Sequence, residues 1–450
     1  MQITNQSLFL SICLSITSFT CAAQDLRIDL QGYRYSAHQA ATPQQALVQI
    51  PAKVQISLTQ QGAYKQLSST LFPGDIEFRF LTLGNTNGAA VYDVLGWRAG
   101  IEFDALDSKN VRESRADAFF LIPTLLLSTA KDRQAMITPA ELQATFQFES
   151  FIDQAGRPAT VVIDKRTGQA VSARGATFTY EYQNNGSDNQ APTAQSVKVK
   201  FGDNLIADWQ SVSISNAPLT AQEFAVPDGY QARQAVGNLS ADKIADGVYR
   251  INGSKSGYHM HFVVGEHSVA LFDSPIFPNE IAAIKTLINN IAAGKNISHL
   301  VLSHTHRDHI GGATQLVQDG TQIFTGQDGD IAIQRQLGKQ IHAKTVTITK
   351  STNIDVGGRT IQVVPAPSSH ASDMLIAYDA QSNTLFQGDF FMMPEVGPVP
   401  VGFTVNRELH QQLKSKGLTP ERIVSVHGRV GTLQELSKSV ELLEASKLQK

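Results

Sequence analysis

The chain reads as a protein of two parts, an α/β C-terminal half preceded by an antiparallel, β-rich N-terminal half. Three observations lead there. Between residues 24 and 230 apolar and polar residues alternate in short runs separated by turn signals, with little helix. From residue 246 onward strand-like runs alternate with helix-period patterns, as in layered α/β folds. At 450 residues the chain also exceeds what one ordinary hydrophobic core organises.

The elements follow in order. Ile76 to Leu81 and Ala144 to Phe148 alternate as half-buried strands do. Ala159 to Ile163 runs into Asp164-Lys165-Arg166-Thr167-Gly168, a hairpin turn. Thr177 to Tyr182 and Ser196 to Phe201 flank a polar loop, Asn184 to Gln190, and one apolar helix is expected near Ala116 to Ala130. Residues 231–245 are polar and predict a linker between the N-terminal domain, 24–230, and a C-terminal domain, 246–450. In that domain Gly247 to Ile251, His261 to Val264, His299 to Ser303, Ile361 to Val364, Met374 to Tyr378, Leu385 to Gln387 and Ile423 to Val426 read as strands. Glu280 to Ala293 places Ile281, Ile284, Leu287, Ile288 and Ile291 on one helical face, and Thr432 to Leu448 forms a closing helix.

Composition narrows the partners. The net charge is −3 and no long basic run is present, which argues against phosphate-backbone binding, so no nucleic acid is expected. Leu8 to Ile16 is an apolar run of signal-peptide length, too short to span a bilayer, and Thr20-Cys21-Ala22-Ala23 offers small residues for cleavage before Gln24. Residues 1–23 therefore predict a signal peptide and a periplasmic or secreted protein, although they contain no Lys or Arg; a short buried helix is the alternative. Both cysteines, Cys13 and Cys21, lie in this segment, so the mature chain would have neither disulfide nor thiolate ligand. No other stretch is long enough for a transmembrane helix, and no integral membrane segment is expected.

The most informative stretch is Val301 to Gly312. His304, His306, Asp308 and His309 form a His-x-His-x-Asp-His pattern directly after an apolar strand. Imidazole and carboxylate are the usual nitrogen and oxygen ligands of zinc and similar ions. In a tight loop His304 and His306 would share one metal, while Asp308 and His309 turn toward a second. Tyr258-His259-Met260-His261 precedes another strand; one imidazole there could reach the site, but ordinary sheet residues are the simpler reading. Ser128-Thr129-Ala130-Lys131 matches a Ser-x-x-Lys pattern without companion motifs, and chance accounts for it.

With these motifs the segment from about Asp246 to the C-terminus resembles the metallo-β-lactamase superfamily of hydrolases. The run Val269 to Asp273 resembles the family's early strand ending in Asp, Ser369-His370 its third histidine, Gly388-Asp389 its bridging carboxylate and Val426-His427-Gly428 its last His-Gly. The resemblance implies an αββα sandwich with the metals at one edge. It implies that His304, His306 and His370 hold one divalent ion, that Asp308, His309 and His427 hold another, and that Asp389 bridges them. Zinc is the expected ion, with manganese or iron open because no thiolate selects. The implied reaction is attack by a metal-bound hydroxide on an ester, lactone, thioester or amide bond of a small molecule, with Asp308 orienting the nucleophile. An Asp at position 389, where one lactamase subclass has Cys, resembles the thioesterase and lactonase branches.

One departure stands out. After His370 the family often has Thr-Pro-Gly-Ser, whereas this chain has Ala371-Ser372-Asp373-Met374. Phe390-Phe391-Met392-Met393 beside Asp389 would line an apolar pocket or serve as core. Two alternatives are carried forward. Some relatives hold iron, which would make this an iron-dependent oxygenase. The N-terminal half also resembles the half-barrel of periplasmic lipoprotein carriers, at Ile163 to Gly168 and Phe224 to Tyr230; this implies lipid contact and a structural metal domain.

Overall fold

The computed structural model describes residues 25–450 except 86–87, 185–194, 217, 234–237, 339–343 and 449–450. The expected signal peptide with Cys13 and Cys21 and most of the polar loop after Asn184 lie outside the described residues.

The N-terminal part is one fourteen-stranded sheet. Strands Leu26–Ser36 and Asn204–Asn216 pair antiparallel at its centre, and outward from them each neighbour is the adjacent strand in sequence, except that the short edge strand Gln231–Ala232 runs parallel beside Glu102–Leu106. The sheet is thus two antiparallel meanders joined along that central pair. The link between them contains two helices, Ser108–Phe119 and Pro123–Thr129. Phe119, Phe120, Ile122, Leu125 and Leu126 pack with Ile28, Val54, Ile56, Val161 and Trp209 into one apolar cluster. The single helix expected over 116–130 is interrupted. Pro123 breaks it, because proline forces the preceding Ile122 into extended backbone, at φ −125° and ψ 97°.

The segment expected as a linker also departs from its reading. Gln231–Ala232 extends the large sheet beside Glu102–Leu106. Ser240–Ala245 is the edge strand of the next sheet, against Val248–Asn252. Edge strands face water along most of their length and need no apolar alternation, so their polar composition concealed them.

The C-terminal part is an αββα sandwich. A seven-stranded sheet with a parallel core formed by Ser268–Phe272, Asn296–Val301, Gln322–Thr325 and Thr345–Thr347 faces a five-stranded sheet. Between them Val263, Phe272, Val301 and Phe324 meet Ile361, Val363, Leu375 and Phe386, and the Phe272 and Phe386 rings stack at 3.8 Å. Helix Ile281–Ile291 covers the outer face of the first sheet through Ile281, Ile284 and Ile288. Helices Thr404–Lys416 and Leu433–Lys447 cover the second through Val405, Leu409, Leu413 and Leu436. Ile76, from the N-terminal sheet, is buried in that last cluster, so the two parts pack directly together. Among the described residues no helix is long and apolar enough to cross a membrane.

Arg359 and Asp379, 6% and 0% exposed, form a buried ion pair, and Arg359 Nη1 also donates to the Asp246 carbonyl at 2.9 Å. The guanidinium thereby ties the two sheets together. Asp379→Ala leaves that charge buried without its partner and is expected to cost about 3–5 kcal/mol. The urea unfolding midpoint of the variant against the parent chain measures it.

Candidate metal centre

Each candidate ligand sits just beyond the end of a strand, on one rim of the sandwich. Strand Asn296–Val301 is central and parallel, and its apolar end, Leu300 and Val301, is buried. It delivers His304 and His306 into a tight loop, and a single helical turn, Arg307–Ile310, carries Asp308 and His309. His370 follows strand Thr360–Pro365, Asp389 follows Thr384–Phe386 and His427 follows Arg422–Val424. Asp273, ending the neighbouring strand at φ 56°, braces the loop. It accepts from the Ser303 amide at 2.7 Å and lies 3.1 Å from His309 Nδ1. Gly388 permits close approach, since a Cβ there would lie 2.3 Å from Ser303 Oγ and 3.0 Å from His304 Nδ1.

The seven side chains assemble into two groups that share Asp389. His304, His306, His370 and Asp389 form the first; Asp308, His309, Asp389 and His427 form the second. Within each group the ligand atoms all lie within 4.8 Å of one another. Asp389 Oδ2 is 3.3 Å from His370 Nε2 and 3.9 Å from His304 Nε2. Its other oxygen, Oδ1, is 3.2 Å from His309 Nε2 and 3.3 Å from His427 Nε2. Asp308 Oδ2 lies 3.6 Å from His309 Nε2 and 3.5 Å from His427 Nε2. All seven are 9% exposed or less.

The donors fit a cation. His306 Nε2 faces the Ala40 carbonyl at 3.0 Å, and His370 Nδ1 faces the Pro73 carbonyl at 2.9 Å. A carbonyl only accepts, so in the neutral rings these nitrogens carry the proton and the opposite nitrogens turn lone pairs inward. Those lone pairs meet His304 Nε2, at 2.9 Å from His306 Nδ1 and 3.2 Å from His370 Nε2. His304 can offer one hydrogen to one of them at most. Buried lone pairs converging with a carboxylate oxygen are costly unless a positive charge joins them. In the second group His309 Nε2 and Asp389 Oδ1 are buried facing each other at 3.2 Å without hydrogen-bond geometry. Nitrogen and oxygen donors without sulfur suit zinc, manganese or iron.

Electrostatics separates the two groups. Burial first, then the imidazoles of His309 and His306, hold His304 well below the usual histidine range. Burial, then His370, brings His306 down to about 3. Burial also opposes charging His309, but Asp389, Asp308 and Asp273 outweigh it and raise that ring well above its usual value. Against the same burial, Asp389 and Asp308 raise His427 to about 9. Burial resists ionising both carboxylates, yet His309 and His427 take Asp308 down to about 2 and hold Asp389 well below the ordinary carboxylate range.

Other candidates lie elsewhere. His259 contacts Glu395 and Arg250, and His261 is buried beside Phe386 between the sheets; neither joins a group. Phe390, Phe391 and Met393 are core. Ser128 Oγ merely donates to the Leu125 carbonyl. Two neighbours had no role in the sequence reading: Tyr258 sits edge-on to the His427 ring at 4.4 Å, and Trp97 lies against it at 4.5 Å.

Residues 257–427 match the family described as the Metallo-beta-lactamase superfamily. A putative diflavin flavoprotein A 2 of Synechocystis sp. is 26% identical over 135 residues, 29% of this chain and 23% of that protein. A coenzyme oxidase of Methanothermobacter thermautotrophicus is 24% identical over 171 residues, 34% of this chain and 42% of that protein. The chain thus spans less than half the length of these relatives. A metallo-beta-lactamase structure from Pontibacter korlensis aligns over 46% of this chain and 99% of its own, with 21% identity and a TM-score of 0.40. With the matched region running from just before Tyr258 through His427, the C-terminal half of this chain is in the metallo-β-lactamase superfamily.

Proposed function

We propose that this protein is a binuclear metal-dependent hydrolase that cleaves an ester, lactone, thioester or amide bond in a small molecule, and that it works in the periplasm or outside the cell. The observation that carries the reaction class is the shared carboxylate: Asp389 turns one oxygen to each of two buried donor groups. His304, His306, His370 and Asp389 would hold one ion; Asp308, His309, His427 and Asp389 the other. Two ions held there would acidify a water to near neutrality and act as a Lewis acid toward the bond attacked. Export rests on the apolar run Leu8 to Ile16 and on the confinement of cysteine to positions 13 and 21.

The chain's own groups do the rest. Asp308 stays ionised beside His309 and His427, so its carboxylate can accept a hydrogen bond from a water and orient it. Tyr258 remains protonated, held there by burial and by the charges of Asp308 and Asp389. Its hydroxyl can therefore donate to an oxygen that gains charge during attack. Trp97 and Tyr258 also hold the His427 ring in place from two sides.

A redox reading is supported by the similarity to the coenzyme oxidase over 34% of the chain and to putative diflavin flavoproteins over 29–30% of it. Five imidazoles and two carboxylates suit zinc at least as well as iron, so metal content and oxygen uptake decide between them. The lipid-carrier reading is weaker. The apolar side chains of the N-terminal sheet already pack against Phe119 to Leu126.

Purified protein is expected to carry about two zinc equivalents and to hydrolyse at least one of the four bond types. His306→Ala should reduce that activity by about a thousandfold or more, and chelation should abolish it. Iron with oxygen consumption, or activity indifferent to chelators, would defeat the hydrolase reading. Metal uptake should also depend on pH in a group-specific way. A cation entering the second group displaces the protons of both His309 and His427, whose pKa values are raised, that of His427 to about 9. Affinity there should rise by up to about a hundredfold per pH unit from roughly pH 7 to 8.5. The first group, with His304 and His306 already neutral, should change far less over that window. Isothermal titration in buffers of different ionisation enthalpy reads the protons released.

A further inference from the structure

We propose that the N-terminal domain is a structural part of the metal centre: it positions ligands of both groups and sets the affinity of the first. The inference rests on the metal reading above and adds to it a role for the other half of the chain. Three separate N-terminal segments reach the ligands. The strap that follows strand Leu26–Ser36 brings the Ala40 carbonyl to His306 Nε2 at 3.0 Å and Gln39 Nε2 to Asp308 Oδ1 at 3.4 Å. The turn between strands Tyr64–Phe72 and Ile76–Asn85 brings the Pro73 carbonyl to His370 Nδ1 at 2.9 Å. The turn after strand Gly88–Leu95 lays Trp97 on His427.

These contacts have a defined physical role. A ligating imidazole usually gives its second nitrogen's hydrogen to a fixed acceptor, which sets both tautomer and ring direction. Within the C-terminal half, Asp273 stands at His309 Nδ1 and Ser303 Oγ at His304 Nδ1. For His306 and His370 the acceptors are the two N-terminal carbonyls. Without them either ring could present its protonated nitrogen to the cation.

The segments are anchored for this purpose. Along the strap the Ala41 carbonyl accepts from the Ser372 amide at 2.8 Å. The Pro43 carbonyl accepts from Arg335 Nη1 at 2.7 Å, and Gln44 Nε2 donates to Asp328 at 2.8 Å. In the turn Gly74 has φ 83°, and a Cβ on it would lie 3.1 Å from His370 Cβ and 3.2 Å from Val405 Cβ. Thr404 bonds Asp75 beside it. Trp97 is held by its own carbonyl, which accepts from the Glu395 amide at 2.9 Å, and by edge contacts with Phe78 and Tyr258.

Cobalt(II) titration of the full chain against a competing chelator, followed by its visible absorption, tests the proposal. Gly74→Ala adds a methyl group against His370 at a backbone conformation that strains alanine, and so displaces the Pro73 carbonyl. It should weaken the first site by about 10–100-fold and alter that site's spectrum, while the second site keeps its affinity. The double variant Ala40→Gly/Ala41→Gly loosens the carbonyl facing His306 without removing a polar side chain. It should weaken the same site by about tenfold with unchanged circular dichroism, even if Gly74→Ala fails to fold. Parental affinity and spectrum at both sites in the double variant, or equal losses at both sites in step with a lowered thermal midpoint, would overturn it. If the unaltered chain binds no cobalt, it is the metal reading of the site that fails instead.

Discussion

The structure depends on one buried carboxylate. Asp389 faces imidazoles on both sides, and its two oxygens serve two different donor groups. A charge in that position is tolerable only where opposite charge converges on it from several directions. The rest of the C-terminal fold is arranged to bring that about. Parallel strands end together on one rim, Gly388 lets the Asp389 loop close onto Ser303, and Asp273 braces the loop that carries three histidines. The core between the sheets then has to be apolar and closely packed, because any shift of one strand end would separate the two halves of the ligand set.

Much of this was legible in the sequence, for reasons that differ from residue to residue. His304, His306, Asp308 and His309 are near neighbours along the chain, so their spacing alone suggested a shared site. His370, Asp389 and His427 are scattered and became visible through resemblance to a family; the structure brings all seven together. The αββα layering followed from the same source, while periodicity reached only a mixed α/β assignment. What stayed hidden has a common cause. Ala40 and Pro73 act through backbone carbonyls, which every residue type possesses, so no side chain marks the position. Trp97 is one of two tryptophans, and nothing nearby tells a core tryptophan from one lying against a ligand. The edge strands within 231–245 were hidden by the polarity that protects edges from mispairing.

The loop after His370 shows how a local departure can report a distant partner. Where the superfamily often has Thr-Pro-Gly-Ser, this chain has Ala371-Ser372-Asp373-Met374. The Ser372 amide donates to the Ala41 carbonyl of the N-terminal strap. Asp373, only 2% exposed, accepts from Thr305 Oγ1 at 2.7 Å and so steadies the residue between His304 and His306. The loop thus joins the N-terminal strap through one backbone hydrogen bond and braces the metal-binding loop through a side-chain one.

The order of strands in the large sheet has a kinetic consequence. Leu26–Ser36 pairs on one side with its sequence neighbour Val48–Leu58, but on the other with Asn204–Asn216, near the end of the sheet's sequence. Each meander can form early from sequence neighbours, but joining them closes a loop through most of the domain, a high-contact-order step that is intrinsically slow. The strap bearing Ala40 hangs directly from that first strand. The rim of the sandwich thus borrows a segment from a strand with one local and one distant partner, so full ion capture is expected only once the N-terminal sheet is complete.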